Sequence, residues 1–221
     1  VLFRSRDDNK AVKHASVEHE ENVYEKIEAK DIRRVKISGN ARSIIIKQDA
    51  DTAFKFQNAD LNAAHTYDVR SSRNGDTLNI SVMMKNGEED NDVLGSFLIY
   101  LPRKEFDVIE TAGEFKQIHI NPIHSDIFLH ADKSVVALHL EAAKLDHDIV
   151  LDGSETNAFK SVSVYFDTVP ASIKMEVNPI QNGSIQDPQH ILDNGRLVSG
   201  TEKPVIRIHA AKEINLYKEN S

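Results

Sequence analysis

The chain has no cysteine and no tryptophan in its 221 residues. Without cysteine there is no disulfide framework, no thiolate nucleophile and no thiolate ligand for zinc or an iron–sulfur cluster. Such a chain is also indifferent to the redox compartment. Aromatic residues make up 6% of the sequence. Tyr24, Tyr67, Tyr100, Tyr165 and Tyr217 lie too far apart in sequence to read as a sugar-stacking platform. No run of about 18 apolar residues occurs, so no segment reads as a bilayer-crossing helix. Positive charge is in deficit: Lys plus Arg is 27 against 35 Asp plus Glu, a net charge of −8. That balance argues against a nucleic-acid partner, which wants a basic face, and against a polybasic grip on anionic lipid.

Several catalytic signatures are missing as well. There is no Gly-x-Ser-x-Gly elbow, no Gly-x-x-x-x-Gly-Lys or Gly-x-Gly-x-x-Gly phosphate loop, and no His-x-His or His-Glu-x-x-His spacing. His124-Ser125-Asp126 are contiguous, and on a strand that puts successive side chains on opposite faces.

What is present is period-two alternation, the mark of half-buried strands. Val35 and Ile37 alternate with Arg34 and Lys36; Ile44-Ile45-Ile46 follow Gly39-Asn40; Phe54 and Phe56 flank Lys55. Asn74-Gly75-Asp76 predicts a hairpin, because Gly supplies positive φ at no steric cost and Asn tolerates it. Asn86-Gly87 with the acids to Asp92 predicts an exposed loop, and Pro102 stops the apolar strand Ser96–Leu101. Ile118, Ile127, Val136, Ile149, Val162 and Ile173 each open a further alternating pair or triplet. Short strands at this spacing predict an all-β sandwich, barrel or solenoid; two strands per coil would give a solenoid repeat of about 20 to 25 residues. Strand is favoured over helix across His139–Asp146. Ile180–Asn194 breaks the pattern and predicts a loop, after which Val205–Ile208 and then Ile214 with Leu216 give two last strands. Residues 1–22 are dense in charge, with Val12 and Val17 the only large apolar residues from Arg4 to Asn22. They read as a solvated linker ahead of one all-β domain over 23–221. The start, Val1-Leu2-Phe3 before Arg4-Ser5-Arg6, reads as the stub of a trimmed signal or anchor, or as the scar of a cleaved tag.

Three segments carry a family resemblance. They are Val35-Lys36-Ile37-Ser38-Gly39-Asn40 leading into Ile44–Ile46; Arg73–Ser81 with Ile99-Tyr100-Leu101-Pro102-Arg103; and Gly200–Ile208 closing with Glu213-Ile214-Asn215-Leu216. Together they resemble the bacterial putative-adhesin family, a β-rich domain of unknown function. The resemblance implies a β-solenoid-like fold outside the cytoplasmic membrane, behind a signal or anchor, with no established catalytic residues to carry over. It spans most of Val23–Tyr217. The chain departs from the family in having only 9 glycines, below the usual share of about 7%. Asn, Asp and Ala must therefore make many of the corners.

Candidate chemistry competes with bland readings. His119, His124, His130, His139 and His147, with Asp126, Asp132, Asp146 and Asp148, offer metal-ligand types without metal-ligand spacing. Alternation turns His119 and His139 away from the core, one coil apart, and a solvated histidine ladder is the favoured reading. Asp146-His147-Asp148 reads as a polar turn. Asp126, Asp148, Asp152 and Asp167 sit near strand ends, where turns favour Asp, and the sequence selects no catalytic pair. Asn79-Ile80-Ser81 and Asn182-Gly183-Ser184 match the glycosylation sequon, which short chance matches also do.

The expectation is an all-β, right-handed β-solenoid-like stack, with a β-sandwich as the alternative. No catalytic residue, metal site or cofactor is assigned, and the binding residues are unknown. The function expected is a non-catalytic, extracytoplasmic bacterial envelope module that contacts an envelope protein or glycan. The alternatives are a polysaccharide lyase or hydrolase on a β-helix, or a self-assembling scaffold. The charged N-terminal segment and the lysines Lys212 and Lys218 are expected to cap the open edges of the stack.

Overall fold

Alternating aliphatic and polar residues favour strands, and strands buried on one side need a second layer to cover them. A computed structural model describes residues 26–49, 51–58, 67–84 and 95–219. The linker 1–22, Tyr24 and the acidic loop at Asn86-Gly87 lie outside the described residues. Those described form fourteen strands and no helix. They are β1 (Ile27–Glu28), β2 (Arg34–Gln48), β3 (Ala53–Asn58), β4 (Tyr67–Asn74), β5 (Thr77–Met84), β6 (Phe97–Leu101) and β7 (Val108–Ile120). The second half adds β8 (Ile127–His130), β9 (Val135–Leu140), β10 (Ile149–Asp152), β11 (Ser161–Phe166), β12 (Ile173–Gln186), β13 (Arg196–Ser199) and β14 (Val205–Lys218).

The strands pile up in layers, each contributing to two faces. β2, β7, β12 and β14 are long and serve both faces themselves, whereas β5 with β6, β8 with β9, and β10 with β11 divide the task. One face runs β4-β5-β2-β7-β8-β10-β14-β12-β13. The other runs β1-β3-β6-β2-β7-β9-β11-β14-β12. Because β7 and β14 belong to both, β7-β8-β10-β14-β11-β9 closes into a parallel ring. Pairing inside the stack is parallel, and antiparallel pairing is confined to the edge strands β1, β3, β4 and β13. Stack order is not chain order. The first layer, β2, lies between β5/β6 and β7, and the last, β14, lies between β10/β11 and β12.

In-register stacking makes the core a set of aliphatic ladders. On the first face Val35, Ile109, Ile127, Ile149, Ile206 and Met175 follow one another across the strands. On the second face Ile44, Ile118, Val136, Val162 and Ile214 do the same. All of these are buried. Each such side chain contributes about 1.5–3 kcal/mol on burial, so the ladders outweigh any surface contact in holding the stack. The repeat is a little irregular: Ile127 follows Ile109 by 18 residues and Ile149 follows Ile127 by 22.

Several sequence expectations need correction. Val35–Ile37 and Ile44–Ile46 are one strand, not two, and so are Val205–Ile208 and Ile214–Leu216. Each bends at a residue with positive φ, Gly39 (129°) or Ala210 (62°); β2 keeps its register with β7 through the bend, whereas β14 skips Ala210 in its pairing with β12. β12 continues through Gln186 where a loop was expected; its far half is largely exposed, so no alternation marks it. Strand β9 ends at Leu140, and the stretch to Asp146 is a turn closed by Lys144 N–H donating to Glu141 O at 2.9 Å. Lys212 and Lys218 cap nothing, because β14 is an inner strand of the stack; β1, β3, β4 and β13 lie over the edges instead, except along the far half of β12, which pairs only with β14 among the described residues. Asn182, Ala210 and also Lys133 take left-handed conformations at the bends, standing in for the scarce glycines.

Two substitutions test this packing. A Cβ on Gly39 would stand 2.0 Å from Val82 O, so Gly39→Ala is expected to cost on the order of 3 kcal/mol in urea unfolding. Thr111 sits in an apolar ladder between Ile37 and Leu129, and its Oγ1 has no hydrogen-bond partner among the described residues. Thr111→Val is expected to stabilise by about 1 kcal/mol in the same assay.

Candidate functional site

The bend that carries the chain from one face to the other forms a corner, repeated layer upon layer. Along it lies an open cavity of about 1010 Å³. Arg42, Lys116, Lys133 and Lys160 line it, against the acids Glu114 and Asp132. Amide and hydroxyl groups of Asn40, Gln117, Thr156 and Asn157 share the wall with the apolar Met84, Phe115 and Val135. A smaller recess of about 440 Å³ adjoins it, sharing Asp132 and Asn157 and adding His130 and Asp152. Asn157 Nδ2 donates to Asp132 Oδ1 at 3.2 Å and ties the two spaces together. Lys116, Lys133 and Lys160 are exposed and form no ion pair among the described residues. Elsewhere Lys55 meets Asp51 at 2.8 Å and Lys144 meets Glu141 at 2.6 Å.

None of the basic residues was singled out from sequence. A signal was there. Arg42-Ser-Ile44, Lys116-Gln-Ile118, Lys160-Ser-Val162 and Lys212-Glu-Ile214 each place a cation two residues ahead of a member of the second-face ladder. Lys133 precedes Ser134 and Val136 in the remaining layer.

The residues that sequence did single out are dispersed. The five mid-chain histidines occupy three places. His130 lies on the outside of the first face, with Nε2 on Glu110 Oε1 at 2.8 Å. His119 and His139 lie outside the second face but are offset, since His119 pairs with Ala137. Burial, then the neighbouring His139, lowers the His119 pKa. His124 and His147 lie at the turns. Among the described residues, no group of three or more His, Asp or Glu is arranged to hold a metal ion.

Asp126, Asp148 and Asp167 cap backbone N–H groups. Asp148 N–H donates to Asp126 Oδ1 at 3.0 Å, and Val205 N–H to Asp148 Oδ1 at 2.7 Å. Asp167 Oδ1 accepts from Ala142 N–H at 2.8 Å. Asp152 stands apart, with Oδ1 3.7 Å from His209 Nδ1.

The tyrosines correct the reading that they are too scattered to act together. Parallel register stacks Tyr165 on His139 at 5.0 Å and on Tyr217 at 5.1 Å between ring centroids. Interplanar angles of 10° and 18° mean the rings spend their faces on one another. The stack therefore presents mainly ring edges, a poorer sugar platform than an open face. Tyr67 is buried, with its hydroxyl donating to Gly95 O.

At the turns, Glu105, His147, Asp146 and His124 form a chain. His147 Nε2 is 2.9 Å from Glu105 Oε1, His147 Nδ1 is 2.5 Å from Asp146 Oδ1, and His124 Nδ1 is 2.9 Å from Asp146 Oδ2. With a carboxylate at each ring nitrogen, His147 satisfies both only as imidazolium. Burial pulls its pKa down, but the bonds to Glu105 and Asp146 outweigh burial and raise it above 6.5. Burial raises the Asp146 pKa, and its bonds to His147 and His124 outweigh that and hold it below 3.8. A raised folded-state histidine pKa stabilises below the unfolded value and loses that stability as pH rises through the folded value. A depressed carboxylate pKa stabilises above its unfolded value and fails as pH falls. The chain is thus strongest between the two unfolded values, 3.8 and 6.5. His147→Asn is expected to lower unfolding free energy more at pH 5.5 than at pH 8.5. An equal loss at both would contradict the charged pairing.

No protein-family description matches the sequence, and no curated protein matches it. Two solved structures match, one of them with a similar fold. A putative cell adhesion protein from Clostridium sporogenes superposes with a TM-score of 0.56 at 13% identity, covering 89% of this chain and 98% of that one. A putative adhesin from Bacteroides fragilis gives a TM-score of 0.38 at 11% identity, covering 89% and 96%. The chain thus shares its all-β fold with a bacterial protein named for putative cell adhesion.

Proposed function

We propose that the chain is a non-catalytic interaction module of a bacterial envelope, displayed outside the cytoplasmic membrane, with the corner cavity as its contact surface. The observation that carries this reading is the long open cavity lined by Arg42, Lys116, Lys133 and Lys160 on a rigid stack. Stacked strands present side chains in fixed rows, which suits recognition of an extended partner. Support for an envelope setting comes from the fold shared with the Clostridium sporogenes protein. The parallel crossovers make the stack a right-handed solenoid if they follow the usual hand of β-crossover-β connections. Self-assembly end to end is disfavoured where antiparallel strands lie over the edges, at β1, β4 and β13.

A second reading rests on the smaller recess, where Asp132 and Asp152 share a space with His130. Paired carboxylates serve glycoside hydrolysis when held across a cleft. Cosedimentation of the purified chain with isolated bacterial envelopes separates the readings. The module reading expects saturable binding, lowered by Lys133→Glu with Lys160→Glu, and no shortening of envelope glycan. No binding overturns it. Depolymerisation that Asp132→Asn or Asp152→Asn abolishes installs the enzyme reading in its place.

A further inference from the structure

The corner cavity is one part of a longer row. Arg42 and Lys116 lie between the register pairs Ala41↔Phe115 and Ser43↔Gln117, so they stand side by side on β2 and β7. Lys160 precedes Ser161, which pairs with Val135, and Lys160 N–H donates to Ser134 O at 2.9 Å. Lys133, exposed and left-handed at φ 60°, supplies the cation of that layer from the residue before Ser134. Lys212 precedes the pair Glu213↔Ser184, and its N–H donates to Phe159 O at 2.9 Å, which sets it beside Lys160. The register therefore aligns Arg42, Lys116, Lys160 and Lys212 at the same corner of the β2, β7, β11 and β14 layers, with buried Ser134 in the β9 layer between Lys116 and Lys160 and Lys133 one residue before it; neighbouring strands lie about 4.8 Å apart.

Like charges opposite one another on neighbouring strands destabilise a sheet. Lys116, Lys133, Lys160 and Lys212 form no ion pair among the described residues to offset this, in a chain whose net charge is −8. Among the described residues, Glu114, Asp132 and Glu213 are the acids along the row; Asp132 is engaged by Asn157, and Glu213 Oε1 accepts from Asn215 Nδ2 at 2.9 Å. A row of cations at strand spacing complements a row of anions at that spacing. A 1,4-linked uronan advances about one strand spacing per sugar and carries one carboxylate on each. Asn40, Gln117, Thr156 and Asn157 line the same wall with amides and hydroxyls suited to sugar hydroxyls. Nucleic acid fits less well, because the aromatic stack His139–Tyr165–Tyr217 turns most of its ring faces on itself and presents mainly edges to bases.

We infer that this corner binds a linear acidic polysaccharide, with its carboxylates along Arg42, Lys116, Lys133, Lys160 and Lys212. The inference rests on the interaction-module reading and names its ligand class.

The test is calorimetric titration of the intact chain with polygalacturonate at low salt. The expected result is binding that weakens about tenfold or more between 50 and 200 mM NaCl, as multiple ionic contacts require. The triple variant K116Q/K160Q/K212Q is expected to bind at least about tenfold more weakly, while K144Q/K174Q/K203Q, with the same change in net charge elsewhere, binds as the parent does. Absence of binding, or equal loss in both triple variants, overturns the inference. Equal or tighter binding of polyphosphate or single-stranded DNA overturns the glycan assignment. If polygalacturonate fails while envelope cosedimentation persists, only this inference falls; if both fail, the module reading falls with it.

Discussion

Everything in this fold depends on parallel strands stacking in register. Each buried side chain sits on the equivalent side chain of the next layer, so Val35, Ile109, Ile127, Ile149, Ile206 and Met175 form one continuous ladder. A single-residue slip would turn that ladder outward and bring polar neighbours into the core. Across β2 and β7 the two faces hold one register, from Arg34↔Val108 to Ile46↔Ile120, whereas β12 shifts against β14 between its two halves. Bends are therefore tightly constrained. Gly39 and Gly113 meet there with no space for a side chain, and Gly183 is similarly crowded by Ala211 O.

The same register that copies the core also copies the surface. Rows of like residues arise outside the stack: His139 on Tyr165 on Tyr217, and cations from Arg42 to Lys212. Asp126 and Asp148 each cap the backbone of the next layer. The aromatic row is self-satisfied and strengthens the sheet. The lysines of the cationic row are not, since they repel one another and form no ion pair among the described residues. That difference separates a row that serves the fold from one available to a ligand.

Much of the fold was legible in the sequence. The all-β class, the two-strand repeat and the hairpin at Asn74-Gly75 follow from alternation and turn chemistry. The stacking order was not legible, because a parallel ladder is indifferent to which layer comes next and alternation alone does not encode adjacency. The continuity of β2 and β14 was hidden by polar residues at their bends, and β12 beyond Pro179 by its exposure. The candidate site was missed for a related reason. Arg42, Lys116, Lys133, Lys160 and Lys212 are separated by many residues, and only register makes them neighbours. The histidines drew attention by number, yet register disperses them.

The layer order is the claim on which the surface rows rest, and the chain's lack of cysteine gives a clean background for testing it. Val150 and Arg207 pair across β10 and β14, and Arg207 and Glu176 across β14 and β12. Oxidative trapping is measured in three double variants. Val150→Cys with Arg207→Cys, and Arg207→Cys with Glu176→Cys, should each form an intramolecular disulfide, their Cα atoms being about one strand spacing apart. Val150→Cys with Glu176→Cys should not, because β14 lies between them. Trapping of that third pair, with failure of the first two, would mean that layers follow chain order and would contradict this account.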